Sequence, residues 1–311
     1  MNGDEYEIHG SGIINSGGGK VIATQNTFGS HSPITINQGA KPAGDERPDS
    51  GSSERARLGI VTILPEETDA VLSMLRRHGT CEPSETEYGC YEGRLGTAPD
   101  DIRVTVIQAL VQGNQSALAA VGRLRRAYEP EMVAVVGIAG AIHKSLRNGD
   151  VVIADQVIYY DLRKETDDGP KPRTRSYPVP AQGLHAINAF FVALRRMPAR
   201  VEIQTPGGSR DCAVALGPIG SGDAVVASRR SWIRRHLEAI NDKVLAVEME
   251  GAGLAQAFYE EPGPGGWLMI RGISDLAGPD KGDGAREVAA QNAAAVLEAL
   301  VPHLANGRRT P

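Results

Sequence analysis

Carboxylates stand at the ends of apolar runs in this chain: Glu66 and Glu67 after RLGIVTIL, Glu248 and Glu250 in AVEMEG, and Asp275 in IRGISD. An acidic side chain at the edge of a water-excluding run is costly unless it is hydrogen-bonded or used. Any one of these taken alone reads equally well as favourable charge at a helix N-terminus. The whole set points instead to one site, where carboxylates hold hydroxyl groups, activate water or deliver a proton. Glu248 and Glu250 are two apart and share a face on a strand, but the chain turns at Gly251, so only one of them need reach a pocket. Gly137, Gly140, Gly222 and Gly251 flank these positions and allow backbone amides to approach a ligand closely. The histidines are scattered without metal spacing, Cys81, Cys90 and Cys212 form no CxxC pair, and no GxSxG, P-loop or HExxH pattern occurs. No metal and no cofactor is expected, the thiols read as buried or idle, and His143 reads as a surface residue.

Bringing these carboxylates together requires strands that end side by side. From Arg57 onward the pattern supplies them. RLGIVTIL stops at Pro65, and Glu66 to His78 then places Val71, Leu72 and Leu75 at helical spacing. IRVTVIQAL is a second strand, followed by an amphipathic helix over QSALAAVGRLRRAY. EMVAVVGIAGAI and GDVVIADQVIYYD are further strands, and three more strand-to-loop passages lie in AVALGPIGSGDAVVAS, KVLAVEMEGAGLAQAF and GWLMIRGISDLAG. AREVAAQNAAAVLEALVPHL closes the pattern as an alanine-rich helix. Strands alternating with helices predict an α/β fold whose largely parallel mixed sheet is covered by helices on both faces. Ligands of such folds sit beyond the carboxyl ends of the strands.

The composition changes near residue 56. Residues 39–56 are rich in Gly, Pro, Ser and charge and read as a flexible linker. Before them, residues 1–38 form a low-complexity segment in which Ile13-Ile14, Val21-Ile22 and Ile34 to Ile36 lie between Gly, Asn and Ser turns. Such short β-prone stretches cannot bury a core alone, so the segment is disordered by itself or ordered by stacking on copies. The main domain is expected over residues 57–305, with a tail at 306–311. A mild net charge of -5 disfavours nucleic-acid binding. No apolar run approaches membrane-spanning length and the polar N-terminus lacks signal-peptide regions, so no membrane partner and a cytoplasmic location are expected.

The strings SGDAVVAS, AVEMEGAGLAQAF and IRGISDLAG, in this order, resemble the nucleoside phosphorylase/nucleosidase superfamily, especially its methylthioadenosine/S-adenosylhomocysteine nucleosidase branch. VVGIAGAIHKSLRNGDVVIAD and YYDLRKETDDGPKPRTRSYP are similar to nucleosidase effector domains of bacterial and fungal immune systems, some of which remove adenine from ATP. The resemblance runs from about Leu58 to Leu304 and implies a nucleoside phosphorylase-like fold. It implies that Asp275 is the general acid that protonates N7 of a departing purine, that Glu250 holds the ribose 2′- and 3′-hydroxyls, and that Glu67 activates the attacking water. Glu66 lies one residue away, so that last role depends on register. The resemblance also implies that Ala139 and Gly140 supply backbone near the ribose, that Ala224 to Val226 border the base, and that Glu248, Met249 and Ser274 complete the substrate contacts. The family's phosphorylases anchor phosphate with a glycine and an arginine after the first strand, where this chain has Pro65-Glu66-Glu67-Thr68, so water is the expected nucleophile. Val225 stands where the housekeeping nucleosidase has an aromatic residue stacked on adenine.

The insertion after Tyr160 carries Arg163, Lys164, Lys171, Arg173 and Arg175 against Glu165, Asp167 and Asp168. It reads either as a solvated loop or as a segment on which Lys171, Arg173 and Arg175 point charge at the 5′ side of a nucleotide, which a triphosphate requires. The combined expectation is a purine nucleosidase acting on a nucleotide such as ATP. It is expected to be a homo-oligomer and a defence effector controlled through residues 1–38 by a sensor or signalling partner. The alternatives are a housekeeping methylthioadenosine/adenosylhomocysteine nucleosidase and a phosphate-dependent phosphorylase.

Overall fold

A computed structural model describes residues 57–96, 101–195, 199–205, 208–262, 265–278 and 285–304. The expected N-terminal segment (1–38), the linker (39–56) and the tail (306–311) lie outside the described residues. The described residues fall in the unit Glu54–Pro311. In chain order they form β1 (Leu58–Thr62), α1 (Pro65–His78), β2 (Cys81–Pro83), β3 (Cys90–Leu95), β4 (Ile102–Gln108), α2 (Asn114–Tyr128), β5 (Met132–Ala141) and β6 (Val151–Tyr159). Then come β7 (Arg163–Lys164), β8 (Lys171–Pro172), β9 (Arg175–Pro178), α3 (Ala181–Leu194), β10 (Ala199–Thr205) and β11 (Gly208–Ser221). Last are α4 (Trp232–Ile240), β12 (Ala246–Glu248), α5 (Gly251–Glu260), β13 (Trp267–Asp275) and α6 (Arg286–Leu304).

The sheet runs β10-β11-β6-β13-β5-β1-β4-β3-β2. Its centre, β13, β5, β1 and β4, is parallel, as the strand-helix alternation predicted. Antiparallel pairing enters at β13 with β6 and at the edges, through β3, β2 and β10. Burial explains the composition of the central strands. LGIVT of β1 is buried at every residue and MVAVVGIAGA of β5 at all but two, as strands covered on both faces must be. One helical layer is α1, α3 and α6, and α2 and α5 pack on the other face. The apolar positions predicted on α1, Val71, Leu72 and Leu75, are all buried. Cys81, Cys90 and Cys212 are buried free thiols.

A second, smaller apolar cluster lies apart from the main core. Ile233 and Leu237 of α4 pack there with Ile142, Tyr160, Val226 and Ala277. It ties α4 to the segments that follow β5, β11 and β13. None of the described helices is long and apolar enough to cross a membrane.

Candidate active site

A cleft of about 150 Å³ opens where β1, β5, β12 and β13 end, the location that open α/β sheets reserve for ligands. Glu67, Glu248, Glu250 and Asp275 all line it.

Glu67 is held by its place in the helix. Leu64 precedes α1 and Pro65 opens it, which puts Glu67 at the third helical position. From there its Oε2 accepts hydrogen bonds from the Leu64 amide (2.9 Å) and the Ile63 amide (2.8 Å), a reach back toward the cap. Oε1 crosses to β5 and accepts from the Ile138 amide at 2.8 Å. Burial pushes the Glu67 carboxyl up, opposed by the charge of Arg271 and by the amides of Leu64, Ile63 and Ile138. Glu67, and not Glu66, lines the cleft.

Glu248 and Glu250 divide their tasks. The Glu248 carboxylate accepts from the amides of Glu250 (2.9 Å) and Gly251 (2.9 Å) and so caps α5 from outside the helix. It also accepts from Arg271 Nη2. Glu250 Oε1 accepts from the Gly113 amide at 3.1 Å, just before α2, and Oε2 from Arg271 Nη2 at 3.1 Å. Burial raises the Glu250 carboxyl to about 7, against the opposing pull of Arg271.

Arg271 was not singled out from the sequence. It is fully buried in the middle of β13, with Glu248 and Glu250 as hydrogen-bond partners and Glu67 Oε1 at 4.0 Å from Nη1. Among the described residues, its Nε and Nη1 have no hydrogen-bond partner. Three carboxylates around one guanidinium stabilise its buried charge, which unpaired would be prohibitive. Gly137 makes the arrangement possible, since a Cβ there would lie 2.4 Å from both Arg271 Nη1 and Glu67 Oε1. Asn114 was missed as well. Its Oδ1 accepts from Ser221 Oγ (3.1 Å) and the Gly253 amide (2.8 Å), while Nδ2 donates to Asp223 (3.2 Å), so it joins α2, β11 and α5 beneath Glu250. An arginine inside LMIRGIS and an asparagine opening a helix carry no motif of their own.

Asp275 lines the cleft from the end of β13. The pairing of β13 with β5 shifts there: Ile273 faces Ala139, and Asp275, one residue beyond Ser274, faces Gly140. The extra residue is a bulge, which re-aims a side chain at a strand end. Asp275 Oδ1 accepts from the Ala277 amide at 2.7 Å and Oδ2 from Ser274 Oγ at 3.2 Å. Ala277 has φ +47°, a left-handed conformation uncommon outside glycine.

The other expected substrate contacts, Ala139, Gly140, Ala224, Val225, Met249 and Ser274, line the cleft, with Val225 61% exposed at its rim. Lys171, Arg173 and Arg175 are exposed and do not line it. The insertion folds back instead: β7 pairs with β8, β9 pairs with β6, and Lys171 lies 3.9 Å from Asp168. Among the described residues, the cation lining the cleft is Arg286, at the start of α6. His143 is half-buried, and its Nδ1 lies 2.7 Å from Ser145 Oγ. Among the described residues, no group of His, Cys, Asp and Glu is arranged to hold a metal ion.

The family model of the phosphorylase superfamily matches residues 57–302, and the chain belongs to that superfamily. It is similar to ATP nucleosidase Cap17 of Escherichia coli, with 28% identity over 258 residues, which cover 78% of this chain and 50% of that protein. The chain thus spans about half the length of that relative. The 5′-methylthioadenosine/S-adenosylhomocysteine nucleosidase of Haemophilus ducreyi is 30% identical over 232 residues, covering 72% of this chain and 86% of that one. Among solved structures, the corresponding nucleosidase of Neisseria meningitidis, bound to methylthio-immucillin-A, has a TM-score of 0.60 at 23% identity and covers 78% of this chain and 97% of its own. Futalosine hydrolase of Helicobacter pylori has a TM-score of 0.62 at 20% identity, with 81% and 99% covered. These structures share the fold.

Proposed function

We propose that this chain hydrolyses the C1′–N9 bond of a purine nucleotide, with ATP as substrate and water as nucleophile, and serves as a regulated defence effector. The observation that carries the reading is the convergence of Glu67, Glu250 and Asp275 on one cleft, with Glu67 and Glu250 beside buried Arg271. Bond breaking leaves a cationic sugar and an electron-rich base, so the site must supply negative charge near C1′ and a proton to the base. Glu250 accepts the ribose hydroxyls and places its charge beside the ring. Asp275 gives its proton to N7 as the C1′–N9 electron pair leaves with the purine. Water then bonds to C1′, and its proton passes to Glu67. The charge of Arg271 opposes the burial that raises the Glu67 and Glu250 carboxyls. A carboxylate where a phosphate-binding arginine would stand repels inorganic phosphate and favours water.

Support for ATP comes from the similarity to Cap17 and from Arg286 at the cleft, a cation suited to a 5′-phosphate chain. Regulation is assigned to residues 1–38, acting through the linker on a homo-oligomeric enzyme. A second reading, a housekeeping methylthioadenosine/adenosylhomocysteine nucleosidase, draws support from the solvent-facing hairpin cations and from the similarity to nucleosidases of that class. The test is to incubate the full chain with ATP, AMP, adenosine and methylthioadenosine and to quantify released adenine. Preference for ATP supports the first reading, and preference for methylthioadenosine replaces it with the second.

A further inference from the structure

We infer that Arg234, on α4, is the positioning residue that holds Asp275 in its proton-delivering geometry, an inference that rests on Asp275 acting as the acid. Arg234 Nη2 donates to the Ile142 carbonyl at 2.8 Å, and Nη1 donates to the carbonyls of Leu276 at 3.1 Å and Ala277 at 3.4 Å. One guanidinium therefore joins the segment after β5 to the turn after β13. That turn is the one whose Ala277 amide donates to Asp275 Oδ1 at 2.7 Å. Ala277 adopts φ +47°, which a non-glycine residue keeps only when its surroundings impose it.

Two independent contacts impose it here. The Arg234 fork binds the carbonyl side of the turn. The Ala277 side chain, fully buried, packs in the small apolar cluster with Ile142 and with Ile233, the residue next to Arg234. Helix α4 is itself anchored, by Ser231 Oγ accepting from the Ile233 amide at 3.2 Å and by buried Ile233 and Leu237. A planar guanidinium donates from two nitrogens at fixed spacing, so it sets the distance between the β5 and β13 segments as well as binding them. A lysine ammonium has the charge without the fork. Arg234 does not line the cleft, so its effect on catalysis passes through the Asp275 turn.

The experiment compares Arg234→Ala, Arg234→Lys and Asp275→Asn in the full chain on two substrates. One is the preferred purine nucleotide, which needs an acid at N7. The other is p-nitrophenyl β-D-riboside, whose leaving group departs as a stable anion without one. Misplacing a catalytic group by about 1 Å costs on the order of 100-fold. Purine release by Arg234→Ala should accordingly fall by roughly this factor in kcat with little change in KM, while aryl riboside hydrolysis changes less than about threefold. Arg234→Lys should remain defective. Added guanidinium ion should restore purine release to Arg234→Ala but not to Asp275→Asn, and this arm decides the matter if the aryl riboside is not turned over. Equal losses on both substrates, or an Arg234→Ala variant with unchanged purine release beside a defective Asp275→Asn, would overturn the positioning role alone. Undiminished purine release by Asp275→Asn would overturn the acid assignment and the positioning role with it.

Discussion

Glu250 and Arg271 meet at 3.1 Å in a part of the site that water does not reach, Arg271 having no exposed surface and Glu250 only 6%. The same guanidinium nitrogen also binds Glu248, which caps α5. The cleft-lining carboxylate of Glu250 and the helix that follows it therefore share one buried cation.

Replacing that cation tests the dependence. Arg271→Met leaves Glu67, Glu248 and Glu250 as buried carboxylates without a counter-charge, and breaking such a cluster costs about 3 to 5 kcal/mol. Urea denaturation at pH 7.5 should show that loss, with part of it recovered at pH 5.5, where the carboxylates take up protons. A loss below about 1 kcal/mol would mean that the cluster is not what holds this part of the fold.

The raised carboxyl of Glu250 gives stability and catalysis opposite pH dependences. Folded, the group titrates at about 7, above its ordinary 4.5. Between those values the folded chain holds a proton that the unfolded chain has released. Its contribution to stability is complete below pH 4.5 and is lost as pH rises through about 7. In the proposed role, Glu250 binds ribose hydroxyls in its ionised form, so kcat/KM should climb through the same region. In Glu250→Gln that acid limb should vanish along with most of the activity, and a limb that persists in the variant belongs to another group.

Asp275→Asn should bind nucleotide and fold normally but release base roughly 100- to 10,000-fold more slowly, because the amide keeps the shape without a carboxylic proton to give. Single-turnover base release measures this. A loss of less than about fivefold removes Asp275 from its role.

Sequence and structure agree best where apolar patterning decides the outcome. The strands ending in PEET, VEME and GISD were legible because their runs of β-branched residues stop at carboxylates, and these residues do line one cleft. Arg271 was not legible, because its position in an apolar strand makes sense only once Glu67 arrives from α1 and Glu248 and Glu250 from the junction of β12 and α5. The bulge at Ser274 was equally hidden, since no glycine or proline marks it. Lys171, Arg173 and Arg175 suggested a phosphate site by charge alone, but backbone pairing in β8 and β9 takes their segment to the surface.

Close approach of α2 and α5 is a further point of sensitivity. A Cβ on Gly253 would lie 2.0 Å from the Asn114 carbonyl oxygen. Gly253→Ala must push apart the helix ends that carry Glu250 and the Gly113 amide, at a cost of about 1 to 3 kcal/mol. Its melting temperature should fall and its KM rise together. A variant with wild-type stability would show that the two helices separate freely.

Cation choice at the 5′ end distinguishes Arg286 from the hairpin. A lost charge-assisted contact is worth about 1.5 to 3 kcal/mol, so Arg286→Ala should raise KM for ATP roughly ten- to a hundredfold and leave adenosine nearly unchanged. The Arg173→Ala/Arg175→Ala double variant should change KM for ATP less than about threefold. The reverse pattern would return the phosphate contacts to the hairpin.

The central claim is that water takes the sugar. It is tested most directly by running the reaction in ¹⁸O-labelled water with millimolar inorganic phosphate present and weighing the sugar product by mass spectrometry. The account predicts ¹⁸O at the C1 hydroxyl of ribose 5-triphosphate when ATP is the substrate, formed at a rate that added phosphate does not change. Ribose phosphorylated at C1, forming in proportion to phosphate, would contradict it.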